Sequence, residues 1–159
     1  MQLDELYDAY GDVLYRYLTL KLGSAHDAED VLQETFVRLA RYVGRRRFIR
    51  DPKAFAFRCA HNEASRFWKK RLLRRDEEMA FRPELASMLF QGPDKPSEIR
   101  LGDALAALSA EQREVILLKD FEGLTFRDIG SACGISTHTA ASRHRYGMAR
   151  LREFFGEKK

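Results

Sequence analysis

The sequence predicts an all-α fold, with two small helical domains joined by a linker. Apolar residues recur at intervals of three and four through most of the 159 residues, which is the spacing of a buried helical face. No segment shows the alternation typical of strands. The helical pattern fades where Pro83, Gly92, Pro93 and Pro96 interrupt an acidic stretch, as expected of a loop. We therefore predict domains at 1–75 and 97–159, and a linker at 76–96 with one short helical turn.

Three helices are predicted in the first domain. The first buries Leu3, Leu6, Tyr7, Tyr10, Val13, Leu14, Tyr17 and Leu18, and stops at Gly23. The second is capped by Ser24, ends at Gly44 and buries Ala28, Val31, Leu32, Thr35, Phe36, Leu39 and Val43. A basic loop, 45–50, leads to a third helix, capped by Asp51 and beginning at Pro52, where the missing N–H of proline costs nothing.

The second domain is predicted to hold a helix-turn-helix. The helical pattern returns at Ile99, Leu105 and Leu108, and Ser109 and Gln112 form a capping box for the next helix. Thr125 begins a short helix, Gly134 makes a tight turn, and Ser136 caps a last helix toward Phe155. The second helix of such a pair can enter the major groove of DNA, although many helical hairpins bind nothing.

Charge is strongly segregated along the chain. Residues 1–36 carry 8 acidic and 2 basic side chains, whereas residues 37–75 carry 14 basic and 2 acidic ones. Over the whole chain these differences nearly cancel, to a net charge of +4. Such segregation predicts two partners for adjacent parts of the chain, one basic and one polyanionic.

Candidate binding residues lie on three helices. The last helix offers hydrogen-bond donors near its start, namely Thr137, His138, Ser142, Arg143 and Arg145. The third helix presents one polar face, Arg58, Asn62, Arg66 and Lys69, near the aromatic residues Phe48, Phe55, Phe57, Phe67 and Trp68. Cations interleaved with aromatic rings suit single-stranded nucleic acid, but a solvated basic face over core aromatics gives the same pattern. The second helix carries Asp27, Asp30, Gln33 and Glu34 on its polar side, which is either a solvated face or a docking surface for a basic protein.

Other classes of function find little support. No apolar run approaches the roughly 18 residues of a membrane span, so we expect no membrane insertion, and the N-terminus lacks the features of a signal peptide. Cys59 and Cys133 are too far apart for a zinc ribbon. His26, His61, His138 and His144 are scattered. We expect a cytoplasmic protein with no catalytic residues, metal or cofactor.

Two runs resemble a known family. The run 27–36, Asp-Ala-Glu-Asp-Val-Leu-Gln-Glu-Thr-Phe, resembles the signature of bacterial sigma factors of the extracytoplasmic-function (ECF) group, within the sigma-70 family. The stretch Leu108–Leu151 is similar to the C-terminal domain of the same proteins, in the motifs 111–115, 122–125, 134–136 and 142–143. Both runs stand in the family's order and separation, and together they cover nearly the whole chain.

The resemblance implies a specificity subunit of bacterial core RNA polymerase. Asp30, Gln33 and Glu34 would dock on the clamp helices of the β′ subunit. The third helix and the preceding loop would contact the melted strand of the −10 element, with Asn62 at the family's asparagine and Phe55 in place of its usual tryptophan. The helix-turn-helix would bind the −35 element as duplex, and the linker would thread toward the RNA path. An anti-sigma factor is a further partner that is common in the family.

The match has departures, and two alternatives remain. The family's Thr-Val-Lys-Ser-Arg pattern reads Thr-Ala-Ala-Ser-Arg at 139–143, and a usual basic position is Tyr146. An autonomous helix-turn-helix regulator would use the same second domain but leave residues 1–75 without a function. A nucleic-acid-processing enzyme would need a carboxylate or histidine cluster that only folding brings together.

Overall fold

The computed structural model describes residues 2–45, 48–73, 81–91 and 100–156. No strand occurs in these residues, and the all-α prediction is confirmed. The chain divides into two compact units between residues 80 and 81. Within the described ranges, no helix is both long and apolar enough to cross a membrane.

Where the structure describes the first unit, it consists of three long helices, namely α1 (Leu3–Leu22), α2 (Ala25–Gly44) and α3 (Pro52–Leu73). Gly23 ends α1 with a φ of 70°, a conformation that glycine adopts without steric cost. The backbone N–H of Asp27 donates to Ser24 Oγ (3.2 Å), and that of Ala54 donates to Asp51 Oδ1 (3.1 Å). Both predicted N-caps are therefore present. Arg46 and Arg47 of the basic loop lie outside the described residues.

The core of this unit is made by apolar side chains from all three helices. Its fully buried members include Leu6, Leu14, Leu18, Leu39 and Phe57. The prediction that Tyr7 is buried is wrong, because its side chain is 56% exposed. Tyr7 packs its ring against Phe36 of α2, at 5.1 Å between centroids, but the other side of the ring faces solvent along an open groove between α1 and α2.

The described residues of the second unit contain five α-helices and a π-helical segment. In chain order these are α4 (Pro83–Gln91), α5 (Arg100–Ala106), α6 (Ala110–Ile116), the π-helical segment Leu117–Phe121, α7 (Phe126–Cys133) and α8 (Thr137–Phe154). Helix α4 falls inside the predicted linker and is longer than the single turn expected there. Residues 76–80 and 92–96 of that linker, and Ile99, lie outside the described residues.

Three predicted N-caps shape the second unit. Ser109 and Gln112 exchange side-chain to backbone hydrogen bonds of 3.1 and 3.2 Å, which completes the capping box of α6. Thr125 accepts from the backbone of Asp128 at 3.1 Å, and Ser136 accepts from Thr139 at 3.0 Å. These bonds satisfy amide groups that have no partner within their own helix.

The turn between α7 and α8 depends on two glycines. Gly134 has a φ of 71° and ends α7. A Cβ atom at Gly130 would lie 2.7 Å from the carbonyl oxygen of Ile135, so the backbone can close tightly only because Gly130 lacks a side chain. The backbone N–H of Ile135 donates to the carbonyl oxygen of Gly130 at 3.0 Å. This tight turn, with its capped second helix, forms the predicted helix-turn-helix.

The π-helical segment is not predicted by the sequence pattern. The backbone N–H of Glu122 donates to the carbonyl of Leu117, five residues earlier, at 3.0 Å. One extra residue in the turn still allows Leu117 and Leu118 to be buried. Such insertions shift the side chains that follow them and are frequent at functional sites.

Substitution of Gly102 by alanine should destabilise the second unit. The backbone N–H of Gly102 donates to Ser87 Oγ of α4 at 3.3 Å, and an added Cβ would overlap the carbonyl oxygen of Pro83. We expect Gly102→Ala to lower the free energy of unfolding by about 1–3 kcal/mol. Urea unfolding followed by circular dichroism measures this change.

Gly44 provides the matched control for this substitution. Nothing lies within 4 Å of a Cβ added there, so Gly44→Ala should leave stability unchanged or raise it by about 0.5–1 kcal/mol. Equal stability of Gly102→Ala and the wild-type chain would contradict the close packing of α4 on α5.

Candidate functional site

The polar face of α2 is exposed and acidic. Asp30, Gln33 and Glu34 are all exposed, and their spacing of three and four places them side by side on the helix surface. The carboxylate of Asp30 lies 3.8 Å from His26 Nε2, and its side chain is 58% exposed. The opposite face of α2 buries Ala28, Val31, Thr35 and Leu39. This acidic face can therefore bind a basic surface without any rearrangement of the core.

The polar face of α3 is exposed and cationic. Its predicted binding residues Arg58, Asn62, Arg66 and Lys69 are all exposed. The other side of α3 buries Ala56, Phe57, Ala60 and Ala64, each at most 1% exposed. The two faces of the helix are thus cleanly separated. Three cations around one amide are suited to hold a phosphate backbone while Asn62 hydrogen-bonds a base edge.

The aromatic residues near α3 divide between core and surface. Phe57 is buried, whereas Phe55, Phe67 and Trp68 are half-buried. Phe55 packs against Tyr42 of α2 at 4.5 Å between ring centroids. Phe48 of the basic loop is 86% exposed. Among these five rings, Phe48 is therefore the one best placed to stack on an unpaired base.

A buried carboxylate lies beneath the cationic face of α3. Glu63 is only 7% exposed and accepts a hydrogen bond from Arg66 Nη1 at 2.8 Å. It also forms an ion pair with Arg38 of α2. Both arginine side chains remain about half exposed, at 51% and 44%. Glu63 therefore holds two guanidinium groups at the surface and links α2 to α3.

Sequence reasoning missed Glu63 as a member of this site. The spacing of three between Glu63 and Arg66 indicates a helical ion pair, but the partner on α2 lies 25 positions earlier, and its proximity is produced only by folding. A second ion pair with a buried carboxylate ties the same helices near the start of α2, where Arg71 Nη2 donates to Asp27 Oδ1 at 2.9 Å. Arg71 also lies over the Phe67 ring, at 4.9 Å from its centroid.

Helix α8 presents its N-terminal half to solvent. Thr137, His138 and Arg145 are exposed, and Ser142 and Arg143 are half-buried. Ala140 and Gly147 of the same helix are buried. The guanidinium of Arg145 lies over the Tyr146 ring, at 5.2 Å from its centroid. The helix therefore offers both a long cationic side chain and short donors on one surface, as a major-groove helix requires.

Two polar contacts between side chains attach α8 to the preceding elements of the second unit. Arg143 Nη2 lies 3.6 Å from Glu111 Oε2 of α6. His144 Nε2 lies 2.7 Å from Asp120 Oδ2, in the π-helical segment. The first contact ties Arg143 to α6, whereas Arg145 is exposed. The sequence pattern did not predict either contact.

Cys59 is adjacent to Arg58 on α3 but lies half-buried. Burial raises the pKa of its thiol to about 11, although the positive charge of Arg58 opposes the shift. The thiol is therefore protonated at neutral pH, and Cys59 is a poor nucleophile.

Family models match most of the chain. A model of sigma-70 region 2 matches residues 6–73, and a model of sigma-70 region 4 matches residues 98–151. These two stretches cover most of the first three helices and most of the helix-turn-helix, respectively.

Curated proteins similar to this chain include three sigma factors. The chain is 33% identical to the RNA polymerase sigma factor CarQ of Myxococcus xanthus, over 97% of this chain and 93% of CarQ. It is 32% identical to the ECF RNA polymerase sigma factor SigL of Mycobacterium tuberculosis, over 92% of this chain and 85% of SigL. It is 31% identical to the ECF RNA polymerase sigma factor SigE of Mycolicibacterium smegmatis, over 97% of this chain but only 62% of SigE.

Two solved structures share the fold. One is the sigma factor RpoE in complex with the anti-sigma factor NepR from Bartonella quintana, with a TM-score of 0.74, 23% identity and coverage of 98% of both chains. The other is CnrH in complex with the cytosolic domain of CnrY, with a TM-score of 0.66, 22% identity and coverage of 99% of this chain and 89% of CnrH.

The raised pKa of Cys59 predicts slow alkylation. In a Cys133→Ser background at pH 8, the thiolate fraction of Cys59 should be roughly a hundredfold below that of an ordinary thiol. Because the thiolate is the reacting form, the rate of reaction with iodoacetamide should rise with pH until about 11. Mass spectrometry of timed samples gives this rate. A rate in the folded protein at pH 8 equal to the rate in denaturant would show that burial does not perturb this thiol.

Proposed function

The chain belongs to the ECF group of the sigma-70 family of RNA polymerase sigma factors, and on this premise we propose that it directs core RNA polymerase to promoters and opens the DNA at the −10 element. The observation that carries the proposal is the pairing of an acidic face on α2 with a cationic face on α3 within a single region 2 unit. Strand opening by a polymerase subunit needs both a protein contact and a nucleic-acid contact.

We assign the protein contact to Asp30, Gln33 and Glu34. Their exposed carboxylates and amide are suited to a basic helical surface, and in this family that surface is the clamp helices of the β′ subunit. The carboxylates increase the rate of encounter with a basic partner, whereas the amide adds directional hydrogen bonds.

We assign the −10 contact to α3 and the loop before it. Arg58, Arg66 and Lys69 would neutralise phosphates of the unpaired strand, and Asn62 would contact a base edge. Glu63 supports this assignment because it keeps the guanidinium of Arg66 at the surface. Phe48, on the exposed loop, is available to stack on a base.

We assign the −35 contact to α8. Ser142 and Arg145 would read base edges, Thr137 and His138 would contact the DNA near the N-terminus of the helix, and Arg143 would hold a phosphate. The capped N-terminus of α8 is favourable for a phosphate because its backbone N–H groups point outward.

In this proposal the chain is a polymerase subunit that catalyses no reaction itself. RNA synthesis is carried out by the polymerase, so this chain needs neither catalytic residues nor a cofactor, and it acts with the polymerase in the cytoplasm. The relation in fold to RpoE, solved with the anti-sigma factor NepR, supports an anti-sigma factor as a further partner.

Charge reversal on α2 tests the polymerase contact. Asp30→Lys combined with Glu34→Lys should weaken binding to core RNA polymerase by at least about tenfold, because attraction to a basic surface becomes repulsion. Both side chains are exposed, so helical content measured by circular dichroism should not change. Affinity for core enzyme is measured by fluorescence anisotropy of the labelled chain.

A second double variant controls for net charge alone. Glu84 and Glu153 are exposed on α4 and α8, and Glu84→Lys with Glu153→Lys changes the charge of the chain by the same amount. This control should retain its affinity for core enzyme. Equal affinities for the two double variants would remove Asp30 and Glu34 from the polymerase contact.

Two arginines on α8 should affect −35 recognition differently. Arg145→Ala should cost about 1–3 kcal/mol of binding and relax preference at one base pair, through loss of a base contact. Arg143→Ala should instead lower affinity for all sequences alike, through loss of a phosphate contact. Selection from a randomised −35 element by the holoenzyme measures both effects. An unchanged motif with Arg145→Ala and an altered motif with Arg143→Ala would reverse the two roles.

A further inference from the structure

Two residues of α8 border its buried seam. The seam contains Ala140 and Gly147, which lie two helical turns apart on one face of the helix and are both buried. Arg143 and His144 are each three or four residues from both of them, so they lie on opposite sides of the seam. Each of the two contacts a different element of the second unit. Contacts on both sides of a seam restrict the rotation of a helix about its own axis.

His144 is held by two elements at once. Its Nε2 lies 2.7 Å from Oδ2 of Asp120 in the π-helical segment. A carboxylate oxygen only accepts, so the imidazole N–H donates to it. The His144 ring also packs edge-on against Phe126, the first residue of α7, at 5.3 Å between centroids, and only 20% of the side chain is exposed. The imidazole thus makes a polar and an aromatic contact together.

The contact on the other side of the seam is weaker. Arg143 Nη2 lies 3.6 Å from Glu111 Oε2, which is longer than a hydrogen bond, and 70% of the Glu111 side chain is exposed. Exposed pairs of this kind contribute little to stability. The bond between Asp120 and His144 is therefore the stronger of the two restraints on the rotation of α8.

The π-helical segment directs Asp120 toward α8. The backbone N–H of Glu122 donates to the carbonyl of Leu117, five residues earlier, whereas an α-helix closes its turn over four residues. A wider turn changes the direction in which the side chains within it leave the helix. A regular helix continuing from α6 would therefore aim Asp120 elsewhere. In this chain the π-helical turn supplies the partner of His144.

A small rotation of α8 changes which atoms its side chains can reach. With side chains included, a helix has a radius of about 5–6 Å, so a rotation of about 10° moves the ends of its side chains by about 1 Å. Distances of N–H···O hydrogen bonds span only about 0.5 Å. Base contacts made by Ser142 and Arg145 would both be displaced by more than this range. Reading of bases therefore depends on the restraint at the buried side of the helix.

We propose that Asp120 is a positioning residue for −35 recognition, whose hydrogen bond to His144 fixes the rotation of α8 and thereby the base pair that Arg145 reads. This role rests on the proposed function, and it adds to that function a residue outside the DNA-binding set. Loss of the bond should change the preference among bases. Loss of stability alone would instead lower the affinity for every sequence equally.

Selection from a randomised −35 element by holoenzyme that contains Asp120→Ala tests this role. The preference ratio at the base pair that depends on Arg145 should fall about fivefold, but by less than about twofold when Arg145→Ala is already present, because coupled residues are not additive. Glu153→Ala removes an exposed carboxylate of α8 and, as the control, should leave the ratio unchanged. An unchanged ratio in Asp120→Ala, or an equal fall in both backgrounds, overturns the role of Asp120.

His144 offers a matched pair of variants for the case that Asp120→Ala fails to fold. His144→Gln keeps an N–H donor and should keep the preference ratio. His144→Leu keeps an apolar contact with Phe126 but cannot donate, so it should lower the ratio about fivefold. Thermal unfolding followed by circular dichroism measures the stability of both variants. Equal ratios for the two variants would show that the hydrogen bond does not position α8.

The wild-type selection separates this role from the function on which it rests. If the wild-type holoenzyme selects no −35 motif, the proposed −35 contact fails, and the role of Asp120 fails with it. If the wild-type holoenzyme selects a motif that Asp120→Ala and His144→Leu leave unchanged, the −35 contact stands and Asp120 has no part in it.

Discussion

The close packing of α3 against α1 and α2 is the constraint on which the first unit depends. Ala56, Ala60 and Ala64 are small enough to be buried completely, and the Tyr17 ring meets Phe57 edge-on at 5.5 Å between centroids. Because one face of α3 is buried in this core, the cations on its other face are exposed to solvent. The same packing buries the carboxylate of Glu63, which holds Arg38 and Arg66 at that surface.

In the second unit, the main constraint is a set of contacts that fixes the direction of α8. Gly134 and the Ser136 cap determine where α8 begins. Gly147 lies so close to α6 that an added Cβ would be 2.6 Å from Ile116 Cδ1, and Arg150 Nε donates to the carbonyl of Ala107 at 3.1 Å. These contacts hold α8 in place and leave Thr137, His138 and Arg145 of its N-terminal half exposed.

Local signals in the sequence predicted much of this architecture. The caps at Ser24, Ser109 and Ser136, and the glycine stop at Gly134, each depend on bonds within four residues, and all are present. The length of α4 and the π-helical segment were missed because both depend on tertiary packing, which overrides local propensity. The candidate binding residues could be chosen by helical spacing. Neither the burial of Glu63 nor the groove beside Tyr7 could be predicted, because each is defined by the distance between two helices.

Transcription reconstituted from core RNA polymerase and this chain tests the central claim most directly. Promoter fragments selected by the mixture should give transcripts with one start site, and permanganate should detect unpaired thymines near the −10 element only when both components are present. Tight binding of the chain alone to duplex DNA, with no change in the start sites used by core enzyme, would contradict the account and favour an autonomous helix-turn-helix regulator.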